Sequence, residues 1–188
     1  PLIVNKATGK KFGKSEDGAV WLDSNRTSVY KFYQFWLNTD DGGVIDYLKI
    51  YTFLSKSEID KLAQQTRENP GARQAQKTLA LEVTKIVHGE ERAESVKKVT
   101  SVLFGGINIS DLSADELNIL AAEIPTARLG KNLVEILVDS GLSAGTGDAK
   151  RLIAGGAVSV NGQKVSDDCL VNSLALIKKG KNSFALVR

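Results

Sequence analysis

The chain has 188 residues, 25 of them Lys or Arg and 22 Asp or Glu, for a net charge of +3 with 42% hydrophobic side chains. That composition excludes a disordered or fibrous chain, and the length suits one domain or two small ones. A single cysteine, Cys169, excludes a disulfide framework and multi-cysteine metal sites, and apolar runs of only a few residues exclude a membrane-crossing helix.

The first residues, Pro1-Leu2-Ile3-Val4-Asn5-Lys6, do not resemble a secretory signal, so a cytoplasmic location is expected. The start at Pro1 without a methionine points to a piece of a longer chain. Up to about Asp23 the sequence is rich in Gly and Lys, ends on Val20-Trp21-Leu22, and suits a strand with an exposed loop. From Ser28 the pattern is helical: Tyr30, Phe32, Tyr33, Phe35 and Trp36 come within seven residues, and Asp40-Asp41-Gly42-Gly43 then breaks the run. Val44, Tyr47, Leu48, Tyr51 and Leu54 follow at helical spacing. Ser55 with Glu58 reads as a capping box, and Asn69-Pro70 predicts a helix with Pro at its first position. That helix places Leu79, Val83, Ile86 and Val87 on one face and stops near His88-Gly89. Ala93, Val96, Val99 and Leu103 define one more, so 28–104 is expected to be an all-helical domain.

Residues 105–130 read as a linker with one short helix, opened by a second capping box at Ser113 and Glu116 and closed before Pro125. Beyond it, Leu133, Ile136 and Leu137, then Ala149, Leu152 and Ile153, predict two short amphipathic helices around the Gly-rich turn from Ser140 to Gly147. Val158-Ser159-Val160, the Asn161-Gly162 turn and Gln163-Lys164-Val165 predict a β-hairpin. Two further strands flank Lys178-Lys179-Gly180-Lys181, which reads as a basic turn. The expected fold class is mainly α plus a small α+β module.

The charge is uneven. Residues 1–127 carry 16 basic and 17 acidic side chains, whereas 128–188 carry 9 and 5. A polyanion-binding surface is therefore expected in the last third, where Lys131, Lys150, Arg151, Lys164, Lys178, Lys179 and Lys181 are the candidate phosphate contacts. Lys150 and Arg151 stand next to Leu152-Ile153, so their helix can pack with one face and offer cations with the other.

In the Gly-containing loop Lys11-Phe12-Gly13-Lys14-Ser15 the two lysines can close over a polyphosphate, although a short basic loop taken alone reads first as a solvated turn. It lacks the two-glycine spacing of a Walker loop. The aromatic cluster of residues 30–36 reads as core before it reads as a base-stacking platform. His88 is expected to be a structural helix cap with a partly positive imidazole, since no metal-ligand spacing surrounds it. Cys169 is expected to be a small buried side chain. No metal site is predicted.

In the order in which they occur, these motifs resemble the bacterial tyrosyl-tRNA synthetases. Lys11-Phe12-Gly13-Lys14-Ser15 resembles the second signature motif of class I aminoacyl-tRNA synthetases, in the Phe-Gly form of the tyrosine enzymes, and Gly18-Ala19-Val20-Trp21-Leu22-Asp23 the strand after it. Tyr30-Lys31-Phe32-Tyr33-Gln34-Phe35-Trp36 and Val87-His88-Gly89-Glu90-Glu91 resemble two stretches of that family's helical anticodon-binding region. The tail from about Lys131 is similar to the S-four type of RNA-binding module.

The resemblance implies four segments: 1–27 as the end of the catalytic domain with its ATP-binding loop, 28–104 as the anticodon-binding domain, 105–130 as the linker, and 131–188 as the S-four-like domain. It implies a parent enzyme, a tyrosine–tRNA ligase, that activates tyrosine with ATP, magnesium being the counter-ion, and passes it to tRNA(Tyr). Lys11 and Lys14 match the family's triphosphate-contacting lysines. The family's nucleotide-binding fold, tyrosine pocket and homodimer interface precede this loop, so the chain alone is expected to be an inactive monomer. Ala144-Gly145-Thr146-Gly147-Asp148 departs from the family where a basic residue is frequent, and Val29 stands where a proline is common. The alternative is a stand-alone S-four-type RNA-binding protein without catalytic activity. The loop Lys11 to Ser15 separates the two, since a pure binding protein has no use for a triphosphate loop.

Overall fold

The computed structural model describes residues 20–104 and 106–188, and the chain divides into two compact units, one reaching Lys97 and the other beginning at Lys98. In the first unit, Val20-Trp21-Leu22 do not form the expected strand. The chain turns instead at Asp23, whose carbonyl accepts from the N–H groups of Arg26 and Thr27 at 3.0 Å each. The Trp21 N–H donates to Thr27 Oγ1 at 3.0 Å, and the Arg26 guanidinium lies 4.3 Å from the centre of the Trp21 ring.

Helix α1, Val29–Leu37, begins at Ser28, whose hydroxyl accepts from the Lys31 N–H. Its Phe32, Tyr33 and Trp36 are buried, so the aromatic cluster is core. Helix α2, Val44–Tyr51, stops one turn short of Leu54. Helix α3, Lys56–Glu68, carries the expected capping box, with Glu58 accepting from the Ser55 hydroxyl and N–H; those bonds hold its carboxyl below the usual range.

Pro70 does not open the next α-helix. Pro70–Ala72 is a single 3-10 turn, Arg73 follows in the left-handed conformation with φ 51°, and helix α4 runs from Gln74 to His88. The Arg73 guanidinium donates to the carbonyls of Leu37 and Thr39 at 2.8 and 3.2 Å, satisfying acceptors that the end of α1 leaves open. The buried stripe of α4 is Ala75, Gln76, Leu79, Ala80, Val83 and Thr84, with Ile86 exposed, so the expected face was rotated by part of a turn. Helices α1, α2 and α3 all pack on α4. Helix α5, Glu90–Leu103, buries Ala93 and Val96 in its first half.

The second unit starts within α5, where Val99, Val102 and Leu103 are buried. The stretch read as a linker is, in its described residues, built structure. Ile109–Asp111 form a 3-10 turn, and helix α6, Ala114–Glu123, has its Ser113–Glu116 capping box and a fully buried Leu120. Thr126–Ala127 then form strand β1. The reason is hydrophobic: Ile109, Leu112 and Leu120 are too apolar for a solvated tether.

Beyond it follow β2 (Lys131–Asn132), α7 (Leu133–Asp139), α8 (Thr146–Ala154), β3 (Val158–Val160), β4 (Gln163–Lys164), β5 (Leu170–Val171), β6 (Ala175–Lys179) and β7 (Ser183–Val187). Five strands form one sheet in the order β1-β7-β6-β3-β4, antiparallel except for the β1–β7 pair, and β2 with β5 forms a separate antiparallel ribbon. Strands β1, β2 and β5 are two residues each, too short for an alternation to be read in the sequence. One face of the sheet, with Val158, Ile177, Ala185 and Val187, packs with Leu133, Ile136 and Leu137 of α7 and Ala149 and Ile153 of α8.

Candidate nucleic-acid interface

The candidate surface is assembled by the hairpin. Asn161 and Gly162 have φ of 50° and 82°, the backbone a two-residue turn requires, and only glycine reaches the second value without strain. The Asn161 side chain then accepts from the Leu176 N–H at 2.8 Å, fixing the turn on β6. The register sets Ser159 opposite both Lys164 on β4 and Lys178 on β6, and sets Lys178 opposite Phe184 on β7. Residues directly opposite share a face, so Lys164, Ser159, Lys178 and Phe184 form one row across four strands, on the face turned away from α7 and α8. The Lys178 ammonium lies 5.4 Å from the centre of the buried Phe184 ring.

Lys178 and Lys179 therefore do not act together in a turn, as the sequence suggested. Both belong to β6 and point to opposite faces. The Lys179 ammonium donates to the Leu142 carbonyl at 2.6 Å, on the side of the helices, and so braces the turn between α7 and α8. Lys181 is exposed in the β6–β7 turn.

Lys150 and Arg151 are exposed on α8 while Ala149 and Ile153 are buried beneath them, the division that the sequence predicted. Arg151 lies 3.5 Å from Asp148, a solvated pair that holds little free energy. Lys131 is ion-paired with Asp139. Among the described residues, Lys150, Lys164 and Lys178 have no carboxylate partner, which leaves their charge for an external anion. Sequence reading missed Ser159; the signal was the alternation Val158-Ser159-Val160, which puts the hydroxyl on the face opposite the two valines.

The loop Lys11-Phe12-Gly13-Lys14-Ser15 lies outside the described residues. Three other expectations change. Cys169 is exposed. His88 is no positive cap: burial, and then the Arg92 guanidinium, hold its imidazole below the ordinary value, and its buried Nε2 has no hydrogen-bond partner among the described residues. Residues 106–130 are, as described above, part of the second unit. No group of three or more His, Cys, Asp or Glu is arranged to hold a metal ion among the described residues, nor is any described helix long and apolar enough to cross a membrane.

Residues 1–105 match the family model for tRNA synthetases class I (W and Y), and residues 116–187 match that for the tyrosine–tRNA ligase SYY-like C-terminal domain. Tyrosine–tRNA ligase 2 of Bacillus cereus is 46% identical over the whole of this chain, the tyrosine–tRNA ligase of Macrococcus caseolyticus 44%, and that of Lactobacillus delbrueckii subsp. bulgaricus 46%. The matched stretch is 47%, 46% and 47% of those proteins, so the chain spans about half the length of the curated relatives it matches.

Proposed function

The chain belongs to the class I tRNA synthetases of the tryptophan and tyrosine group, and on that premise we propose that it is the tRNA-recognising part of a tyrosine–tRNA ligase. The observation that carries this reading is the succession of a synthetase match over 1–105 and a tyrosine-ligase C-terminal match over 116–187 in one chain. The first of them leaves a stand-alone S-four-type RNA-binding protein without support.

In this reading the parent enzyme joins tyrosine to ATP as tyrosyl-adenylate, releasing pyrophosphate, and transfers the tyrosine to the 3′ end of tRNA(Tyr) in the cytoplasm. Lys11 and Lys14 neutralise the charge that develops on the triphosphate, with magnesium as its counter-ion. The helical unit approaches the anticodon arm. The exposed cations Lys150, Arg151, Lys164 and Lys181, with the half-buried Lys178, contact the phosphate backbone, which positions the RNA without reading its sequence. Lys131, whose pair with Asp139 is solvated, joins these contacts, and Lys179 is engaged within the protein and shapes that surface. The segments 1–27, 28–104 and 131–188 then serve ATP contact, anticodon approach and RNA grip, with the parent a homodimer through its catalytic domain.

The test is a titration of the 188-residue chain at two salt concentrations with bacterial tyrosine tRNA, the same tRNA with its variable arm shortened, and an unrelated elongator tRNA. Preference for the intact tyrosine tRNA, weakened by Lys150→Ala with Arg151→Ala, is expected. Equal, weak binding of all three RNAs would refute the reading.

A further inference from the structure

We propose that Ser159, Lys164 and Lys178 form a second phosphate seat on the sheet face turned away from α8, so that the module holds RNA backbone at two separate places and not along one continuous patch. The inference rests on the tRNA-binding reading above. Neighbouring strands stand about 4.8 Å apart, so the two lysines leave the sheet roughly 10 Å from one another with the Ser159 hydroxyl midway. The three side chains supply two ammonium groups and one neutral donor, and no carboxylate lies in the row.

A structural role accounts for only part of this. A lysine on β4, the edge strand, guards against pairing with another chain. Strand β6 is the middle of the five, where no edge needs guarding, and its Leu176 on the same face is buried, as are Leu186 and Phe184 opposite on β7. A lysine in that company gives up hydration that an aliphatic side chain would not need. It is half-buried and lies along the Phe184 ring, which Phe104 also meets edge to face at 6.0 Å, and it stands in line with Ser159 and the exposed Lys164. Lys179, one residue on, shows what a committed structural lysine looks like here: its ammonium is bonded to a main-chain carbonyl.

The experiment measures binding of the 188-residue chain to tyrosine tRNA across a salt series, with Lys150→Ala/Arg151→Ala as the reference for the tRNA reading itself. Lys164→Gln and Lys178→Gln are each expected to weaken binding and to reduce the slope of log affinity against log salt by about 0.7–0.9, one phosphate contact apiece. Ser159→Ala is expected to weaken binding severalfold at unchanged slope, because it removes a donor and no charge, and Ser159→Asp to weaken it further. Lys178→Arg, which keeps the charge above Phe184, is expected to keep the wild-type slope. Lys164→Gln, on an exposed edge position, tests the seat even if the Lys178 variant unfolds. Wild-type affinity and slope in Lys164→Gln and Ser159→Asp, beside a weakened α8 variant, would overturn the second seat and leave the tRNA reading intact. No effect of any variant, the α8 pair included, would overturn both.

Discussion

His88 and Phe32 stand edge to face, with ring centroids 4.8 Å apart and planes at 86°. The contact joins the end of α4 to the middle of α1, and so brings together the two sequence stretches that marked the helical unit. Burial, and then the Arg92 guanidinium, hold the imidazole below its ordinary value, and its buried Nε2 has no hydrogen-bond partner among the described residues.

A pH dependence follows from that lowering. The unfolded chain takes a proton on His88 as the pH falls through the ordinary value of 6.5, while the folded chain resists it. The unfolded state then binds more protons, so this contribution to stability is present above about pH 6.5 and is lost on acidification. The urea midpoint followed by tryptophan fluorescence is expected to fall between about pH 7.5 and 5.5, and His88→Leu to remove most of that fall. A midpoint that rises on acidification would contradict the assignment.

At the other end of the scale, burial, and then the Glu94 carboxylate, push the Tyr33 hydroxyl up to about 12. Its folded value lies above its unfolded one, so the stability it contributes is complete below pH 10 and is lost as the pH rises towards 12. Tyr33→Phe should flatten alkaline unfolding, read by circular dichroism between about pH 9 and 11. An unchanged alkaline limb would place the titration elsewhere.

Lys179 braces Leu142, and its removal should be felt as stability before it is felt as RNA affinity. Lys179→Met is expected to cost the second unit roughly 1–2 kcal/mol, since the Leu142 carbonyl loses a charged donor. Differential scanning calorimetry reads this as a lowered melting temperature. Loss of a full phosphate contact from the salt slope with no change in melting would reverse its role.

Glu116 serves two purposes. Its carboxylate accepts from the Ser113 N–H at 2.7 Å and pairs with Lys98 at 2.9 Å. Burial works against its charge, yet these partners outweigh it and hold the carboxyl below the usual range. Glu116→Ala is expected to cost about 1–2 kcal/mol, more than an ordinary cap, because Lys98 loses its partner as well. Protection of the α6 amides in hydrogen exchange should fall with it, and undiminished protection would deny the link.

Sequence alone was sufficient wherever the determinant is local. Capping boxes at Ser55 and Ser113 need only two residues three apart, the Asn161-Gly162 turn only two in succession, and all three formed as read. The same holds for α8, whose cations and apolar residues alternate with the helical period. Family membership was legible for a related reason, because ordered motifs survive in the chain whatever their packing.

Tertiary structure decided what depends on partners distant in sequence. Val20-Trp21-Leu22 went into the turn at Asp23, where Trp21 bonds Thr27, and Arg73 broke the expected helix after Pro70, its guanidinium capping α1 across the unit. Residues 106–130 looked loose because their buried side chains are few and far apart in sequence. Lys178 and Lys179, equal as letters, became a cation over Phe184 and a brace for Leu142, since neighbours in a strand face opposite sides of a sheet and only the fold determines what lies on each.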